Sequence, residues 1–330
     1  LGLDVNLFRN RSAVSLTLRW ALSVLLWAAA SGAMAAPNVT VTVAASPGTG
    51  LDILARTLSQ QMAIKNGPTW VVDNKAGASG NIAAELVSRA KPDGNNLLVV
   101  GTTFGTNAAV NQAMPFDPVK DFVPVAMLGT GTQCLVVPQG FPANTLAEFM
   151  GLAKSSAQGI NYASPGNGTP QHLAMELFKL EAGLNMFHVP FKAASGAVND
   201  LAAGHVSAMI SPMHTVMPLV KAGKLKVLAV MSPERVAALP GVPTFKEQGL
   251  PKVQVDIWYA LLAPKGTPTA VIQALNQEVN QILKTPDVVA QLAKQGIDAA
   301  GGPPSRMVDA LAAEIKRWPP VVKAAQIKAD

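Results

Sequence analysis

The sequence predicts an α/β protein in two lobes, built of mostly parallel sheets flanked by helices. Three observations predict it. Short strand-like runs alternate with amphipathic helical patterns along most of the chain. The runs are rich in Val, Leu and Ile, as strands covered by helices on both faces tend to be. At 330 residues the chain also exceeds one ordinary domain and suits two of roughly 100–200 residues each. Composition narrows the choice further. With 49% hydrophobic and 14% charged residues, the chain has ample apolar surface to bury, which excludes disorder. The net charge of +6 is spread without any block of five or six like charges, and the few aromatics are scattered. A nucleic-acid groove needs clustered cations and stacking rings, so no nucleic-acid partner is expected.

The elements follow in order. Arg9, Arg11 and Arg19 precede an apolar run over residues 20–30, and Ala33-Met34-Ala35 is a small-x-small cleavage site before Ala36. Residues 1–35 therefore read as a secretory signal that marks the mature chain for export. Its Ala-rich end has no basic stop-transfer flank, which argues against a membrane anchor. Cys134 is the only cysteine, so neither an intramolecular disulfide nor a CxxC site is possible.

Residues 39–43 alternate as a strand and run into a turn at 44–50, after which Leu51, Leu54, Leu58 and Met62 recur at helical spacing. Further strand candidates are 70–72, 97–100, 125–128, 135–137, 160–163, 187–190, 208–210 and 227–230. Helical stripes such as Leu173/Leu177/Leu180 and Ala194/Ala197/Val198/Leu201 lie between them. The last third changes character. A long extended stretch at 253–263 is followed by three helical patterns: Val271/Leu275/Val279/Ile282, Val288/Val289/Leu292 and Val308/Leu311/Ile315. Pro319-Pro320 is predicted to stop the last helix. A chain that ends this way suits one returning to cover its first lobe, giving lobe 1 as 36–132 plus 260–330 and lobe 2 as 133–259.

Two turns carry the candidate chemistry. Gly48-Thr49-Gly50 sits between a strand and a helix, where a dinucleotide fingerprint would begin. Ile53 stands in place of the third glycine, and Asn74-Lys75 where an acidic ribose ligand is wanted, so the turn reads as an anion site at a helix N-terminus rather than an NAD site. The second turn is Ser164-Pro165-Gly166-Asn167-Gly168-Thr169-Pro170, with Thr169 as N-cap and Pro170 as the first helical residue. Alone it is a well-capped loop; one such turn in each half favours ligand binding. His172, His188, His205 and His214 are dispersed, without HxxxH or HExxH spacing, so no metal site is expected. No Gly-x-Ser-x-Gly elbow occurs, Ser88-Arg89-Ala90-Lys91 is a chance Ser-x-x-Lys match, and no nucleophile–base pair is expected at the turns. Neither catalytic residues nor a cofactor follow from such a pattern. Tyr162, Phe191, Trp258 and Tyr259 are candidates either to line a cleft or to fill the core.

With these turns the chain closely resembles the Bug family, the TctC-like extracytoplasmic solute receptors of tripartite tricarboxylate transporters. The resemblance runs from about Val41 to Ile327. It is carried in order by Ser46-Pro47-Gly48-Thr49-Gly50-Leu51-Asp52-Ile53-Leu54-Ala55-Arg56, Asn74-Lys75-Ala76-Gly77-Ala78-Ser79-Gly80-Asn81-Ile82 and Phe116-Asp117-Pro118-Val119-Lys120-Asp121-Phe122. After them come the stretch from Asn161 to Pro170, His188-Val189-Pro190-Phe191-Lys192, Val220-Lys221-Ala222-Gly223-Lys224-Leu225 and Leu239-Pro240-Gly241-Val242-Pro243-Thr244.

The resemblance implies a two-lobed periplasmic binding protein of type II-like fold, closing like a hinge on a cleft between its lobes. It implies that a ligand carboxylate is gripped between the two turns, partly through ordered water. On this chain that places Ala45, Ser46, Pro47, Gly48, Thr49 and Gly50 on one side and Ser164, Gly166, Asn167, Gly168 and Thr169 on the other, with Thr103, Phe191, Ala193 and Ser211 beside them. It also implies a monomer that delivers a small-molecule carboxylate to membrane permease subunits. The alternative is an occupancy sensor read by a membrane sensor kinase; an exported hydrolase is the less favoured reading. Three departures stand out. Thr49 interrupts the usual glycines of the first turn. Phe191 replaces a Tyr, with Ala193 in place of the Gly that follows the same motif. Ser211 stands where many members have Asp. Without a charge at Ser211 to pair with an ammonium, the expected ligand is a simple or aromatic carboxylate rather than an amino acid.

Overall fold

The computed structural model describes residues 38–327 except 111–113 and 158, so the signal expected at 1–35 lies outside the described residues. Seven strands each lead into a helix: β1 (Val39–Val43), α1 (Gly50–Ile64), β2 (Trp70–Asn74), α2 (Asn81–Ser88), β3 (Asn96–Gly101), α3 (Thr102–Val110), β4 (Phe122–Pro138), α4 (Leu146–Ser155), β5 (Ile160–Ser164), α5 (Pro170–Ala182), β6 (Met186–Pro190), α6 (Ala194–Ala202), β7 (Ala208–Pro212) and α7 (Met213–Lys221). The chain continues through β8 (Leu225–Val230), β9 (Asp256–Pro264), α8 (Thr269–Leu283), α9 (Pro286–Lys294), β10 (Asp298–Ala299) and α10 (Ser305–Ala324).

The strand order is β2-β1-β3-β9-β4-β7-β5-β6, with β8 and β10 also paired to β4. The parallel pairing expected from the sequence occurs in two sets, β2-β1-β3 and β6-β5-β7. The strands β4, β8, β9 and β10 pair antiparallel, so the architecture is mixed. The candidates at 125–128 and 135–137 are parts of one strand, β4, of 17 residues. Gly129 and Gly131 look like a break in the sequence, but both pair with β9 inside this strand.

Strand direction locates the site. Both β3 and β4 run antiparallel to β9, so β3 runs with β4; β7 runs against it. At its carboxyl end Gly101 of β3 lies opposite Tyr259, which in turn lies opposite Gly129 of β4. The carboxyl end of β7 comes from the other direction and lies with Pro212 opposite Gln133. The two parallel sets thus point their carboxyl ends at each other, about 13 Å apart along β4 at roughly 3.3 Å per residue. Ligands of open α/β sheets bind outside the carboxyl ends of the strands, and here two such edges face one gap.

Helices cover both faces of each set. Leu54 and Leu58 of α1, Val279 and Ile282 of α8 and Leu292 of α9 bury one face of the first set; Ala84 and Val87 of α2, Phe104 of α3 and Leu311 of α10 bury the other. In the second set α4 and α5 supply Phe149, Leu173 and Phe178 to one core, while α6 and α7 supply Leu201 and Val216 to the other. The final helix corrects an expectation, because α10 runs straight through Pro319 and Pro320 to Ala324. Each interior proline removes a hydrogen bond and costs about 3 kcal/mol. The helix persists because Trp318 is fully buried and Val321 nearly so in the second-set core, where losing a large aromatic costs roughly 3–5 kcal/mol. The Trp318 indole N–H also donates to the Glu314 carboxylate. Helix α10 therefore packs on the cores of both sets, through Met307 and Leu311 at one end and Trp318 at the other.

Candidate functional site

The first turn leaves β1 at Val43 and enters α1 at Gly50. Gly48 has φ +80°, a left-handed backbone that suits glycine. A side-chain network behind the turn fixes its path. The Gly48 N–H donates to Asp52 Oδ2 at 2.8 Å, Arg56 Nε donates to the same oxygen at 3.0 Å, and Arg56 Nη2 reaches Asn74 Oδ1 at 3.1 Å. Asn74 closes the circuit by donating to the Ala45 carbonyl at 3.1 Å. Burial acts to raise the Asp52 carboxyl, but the hydrogen bonds from Arg56 and Gly48 outweigh it and hold it below the usual carboxylate range. In front of the turn the side chains do little. Thr49 is the N-cap residue of α1, yet its hydroxyl donates back to the Ser46 carbonyl at 2.9 Å, and among the described residues no side chain caps the helix. Its first-turn amides are left to whatever approaches the exposed Ser46-Pro47-Gly48 edge.

Thr103 lies beside this turn. It lines a recess of about 30 Å³ with Ala44, Leu51, Ser79, Gly80 and Asn107. The wall formed by residues 77–81 has an uncommon backbone: Ala78 and Ser79 are left-handed at φ +45° and +53°. Asn107 holds that wall, donating to the Ser79 carbonyl at 2.9 Å and to Asn81 Oδ1 at 3.1 Å.

The second turn is built differently. Ser164 is fully buried, and its hydroxyl accepts the Gly166 N–H at 3.1 Å and lies 2.6 Å from His188 Nε2. The Gly168 N–H donates to His172 Nδ1 at 3.1 Å. Thr169 caps α5 as expected, accepting the His172 N–H at 3.4 Å while donating to the Gly166 carbonyl at 2.8 Å. Gly166 and Gly168 have φ +135° and +68°, and a Cβ on Gly168 would come within 3.0 Å of Val110 on α3. Several amides of this turn are thus already paired within it.

Two expectations change here. The histidines are not all dispersed: His172 and His188 stack with ring centroids 3.8 Å apart, and Tyr162 stacks on His188 at 5.0 Å. Parallel pairing of β5 with β6 sets Tyr162 opposite His188, and α5 folds His172 back over them. A serine hydroxyl and an imidazole also do meet at this turn, as Ser164 and His188. The same buried hydroxyl accepts the Gly166 N–H, so the pair braces the loop. Burial pushes His172 down to about 3, helped by His188 and Lys179, and leaves it neutral at physiological pH. Beneath the stack the Tyr162 hydroxyl donates to Glu176, whose carboxylate also accepts Lys179 Nζ at 2.7 Å.

Phe191 joins the second turn through its own N–H, which donates to the Ser164 carbonyl at 2.9 Å. Ala193 is the exposed N-cap residue of α6, also without a side-chain cap. Ser211 ends more deeply, fully buried opposite Cys134, with its hydroxyl on the Pro212 carbonyl at 3.4 Å. A separate cavity of about 640 Å³ is lined by Thr132, Met213, Ser232, Arg235, Gly296 and Asp298, with no residue of either turn in its wall. Sequence reasoning missed the Asp52–Arg56–Asn74 circuit, whose only legible part is the i,i+4 spacing of Asp52 and Arg56.

The model of the tripartite tricarboxylate transporter family receptor matches residues 54–327, nearly all of the described chain. The chain belongs to that receptor family. It is 35% identical over 293 residues to the UPF0065 protein in the tcbD-tcbE intergenic region of Pseudomonas sp. strain P51, covering 88% of this chain and 87% of the relative. Among solved structures it is similar to Rpa4515 of R. palustris with adipate, at 32% identity and TM-score 0.81, covering 88% of this chain and 98% of that one. It is also similar to MatC from Rhodopseudomonas palustris with bound malate, at 32% identity and TM-score 0.77, covering 86% and 98%. The α/β architecture with helices on both sheet faces is that of these periplasmic binding proteins.

Proposed function

We propose that the chain is a periplasmic receptor that captures a small carboxylate between its two turns and delivers it to the permease subunits of a tripartite transporter. The observation that carries this reading is the uncapped start of α1, held open from behind by Asp52 and Asn74 at the edge where two sets of strand ends meet. A helix N-terminus contributes about 0.3–1 kcal/mol toward an anion, and up to ~2 when partly buried. Hydrogen bonds to a charged group add roughly 1.5–3 kcal/mol each. A few of these, less ordering costs, are compatible with micromolar affinity near −8 kcal/mol. The adipate and malate of the related structures are carboxylates of the same kind.

On this reading the lobes are 36–132 plus 260–330 and 133–259, and ligand shifts them toward a closed form that contacts the carboxylate with both turns. The site binds and releases its ligand unchanged. The neutral, buried Ser211 offers no charge to an ammonium, which favours a simple or aromatic acid over an amino acid. The protein acts as a monomer, exported with cleavage after Ala35. A thermal-shift screen of residues 36–330, refolded to remove carried-over ligand, tests the reading against mono-, di- and tricarboxylic acids, aromatic acids and amino acids. At 100 times its Kd a ligand adds about 2.7 kcal/mol and raises Tm by several degrees. A carboxylate that does so supports the receptor; tight aspartate or glutamate binding contradicts the role given to Ser211.

A further inference from the structure

Tyr259 occupies an unusual seat. Its ring lies in a slot made by four glycines, one on α1, one on β3 and two on β4. A Cβ on Gly101 would lie 3.6 Å from Cδ1, one on Gly129 3.8 Å from Cδ2, and one on Gly131 3.8 Å from both Cε2 and Oη. From Gly129 to Gly131 the ring therefore extends along β4 toward the gap between the two sets of strand ends. Its tip reaches the first residue of α1, where a Cβ on Gly50 would stand 2.7 Å from the hydroxyl. The residue is only 3% exposed, and among the described residues no donor or acceptor engages its hydroxyl. The hydroxyl oxygen is not among the enclosed, unpaired polar atoms of the described residues, so its tip stays within reach of an approaching ligand although the ring is buried. At Gly50 no side chain would fit beside this hydroxyl, which stands at the head of a helix whose N-cap residue makes no side-chain cap.

We propose that the Tyr259 hydroxyl is an affinity-determining donor, giving a hydrogen bond to the carboxylate held at the head of α1. The inference rests on the receptor reading and adds a residue to its site. The phenol suits the task because it stays protonated: burial holds its pKa above the ordinary value, so it remains a donor across the physiological range. It also brings no net charge, so the site can take an uncharged donor close to the anion without a competing cation. Phenylalanine keeps the ring that fills the glycine slot and removes only the donor.

The test is isothermal calorimetry of the wild-type chain and Tyr259→Phe against adipate, malate and the acids of the screen. The expected result is a Kd at least ten-fold weaker in Tyr259→Phe for each acid that binds the wild type, with the Tm of the ligand-free variant unchanged or raised. A second readout comes from tyrosine content, since Tyr162 and Tyr259 are the only two in the chain. With 3-fluorotyrosine incorporated, the fluorine resonance missing in Tyr259→Phe should move on ligand addition and the other should move less. Equal Kd values for the two chains, with the Tyr259 resonance unmoved, overturn the inference and leave the receptor standing. A fall in ligand-free stability with unchanged Kd assigns the hydroxyl a structural role and also overturns it. A wild-type chain that binds none of the acids overturns the receptor reading itself, and the role of Tyr259 with it.

Discussion

The two glycine-rich turns look alike in sequence and are opposite in construction. Each leaves a parallel strand and enters a helix through threonine. Thr169 caps its helix, and the loop before it is tied inward through Ser164, His188 and His172. Thr49 turns its hydroxyl back to Ser46, and Asp52 and Asn74 grip its loop from behind. One turn is held by what it contacts inside the protein; the other keeps its helix start uncapped by side chains. The difference teaches that a strand–glycine–helix turn is not a binding site by its pattern alone. What decides is whether the neighbouring side chains consume the amides or leave them available.

The comparison breaks most visibly at Ser164. Replacing it with Ala removes from a fully buried position the hydroxyl that accepts the Gly166 N–H and meets the His188 ring, at roughly 1–3 kcal/mol. Urea unfolding should show a loss of about 2–3 kcal/mol; a loss below 0.5 would mean that the second turn is not braced as described. The pH dependence comes next. His172 titrates ordinarily near 6.5 but near 3 when folded, so between these values the unfolded chain binds the extra proton. Stability is then full above 6.5 and falls as pH drops, by up to about 1.4 kcal/mol per pH unit. Thermal melts at pH 7, 6, 5 and 4 should show a steeper acid loss in wild type than in His172→Asn.

Smaller effects sharpen the contrast between the threonines. Thr169→Ala should cost about 1 kcal/mol as a lost N-cap, whereas Thr49→Ala should stay within a few tenths. Equal costs measured by calorimetric melting would contradict the different roles given to the two caps. On the binding side, Asp52→Asn releases the back of the first turn, and its partner Arg56 is largely exposed, so its effect on stability is modest. The expected outcome is a several-fold weaker carboxylate Kd with less than about 1 kcal/mol of stability lost.

Much of this was legible in the sequence, and the remainder was hidden for identifiable reasons. Hydrophobic runs reveal the parallel strands because helices cover both their faces, and the Thr169-Pro170 helix start carries its own signature. The continuity of β4 was masked by Gly129 and Gly131, which read as breaks but pair with β9 inside the strand, a Cβ on Gly129 coming within 2.8 Å of Ile297. Pro319-Pro320 read as a stop because local propensity cannot anticipate the burial of Trp318 against a distant core. The His172–His188 stack was invisible since it depends on strand pairing rather than spacing. Of the candidate site residues, Thr103 lines the recess beside the first turn and Phe191 bonds to the second, while Ser211 lies fully buried with its hydroxyl on a neighbouring carbonyl.

The most direct measurement is a crystal structure of residues 36–330 with a carboxylate that the screen shows to bind. The account predicts one carboxylate group at the head of α1, its oxygens about 3 Å from the first-turn amides, with the second turn closed over it. A carboxylate seated instead in the cavity lined by Ser232, Arg235 and Asp298, with the first-turn amides unliganded, would contradict it.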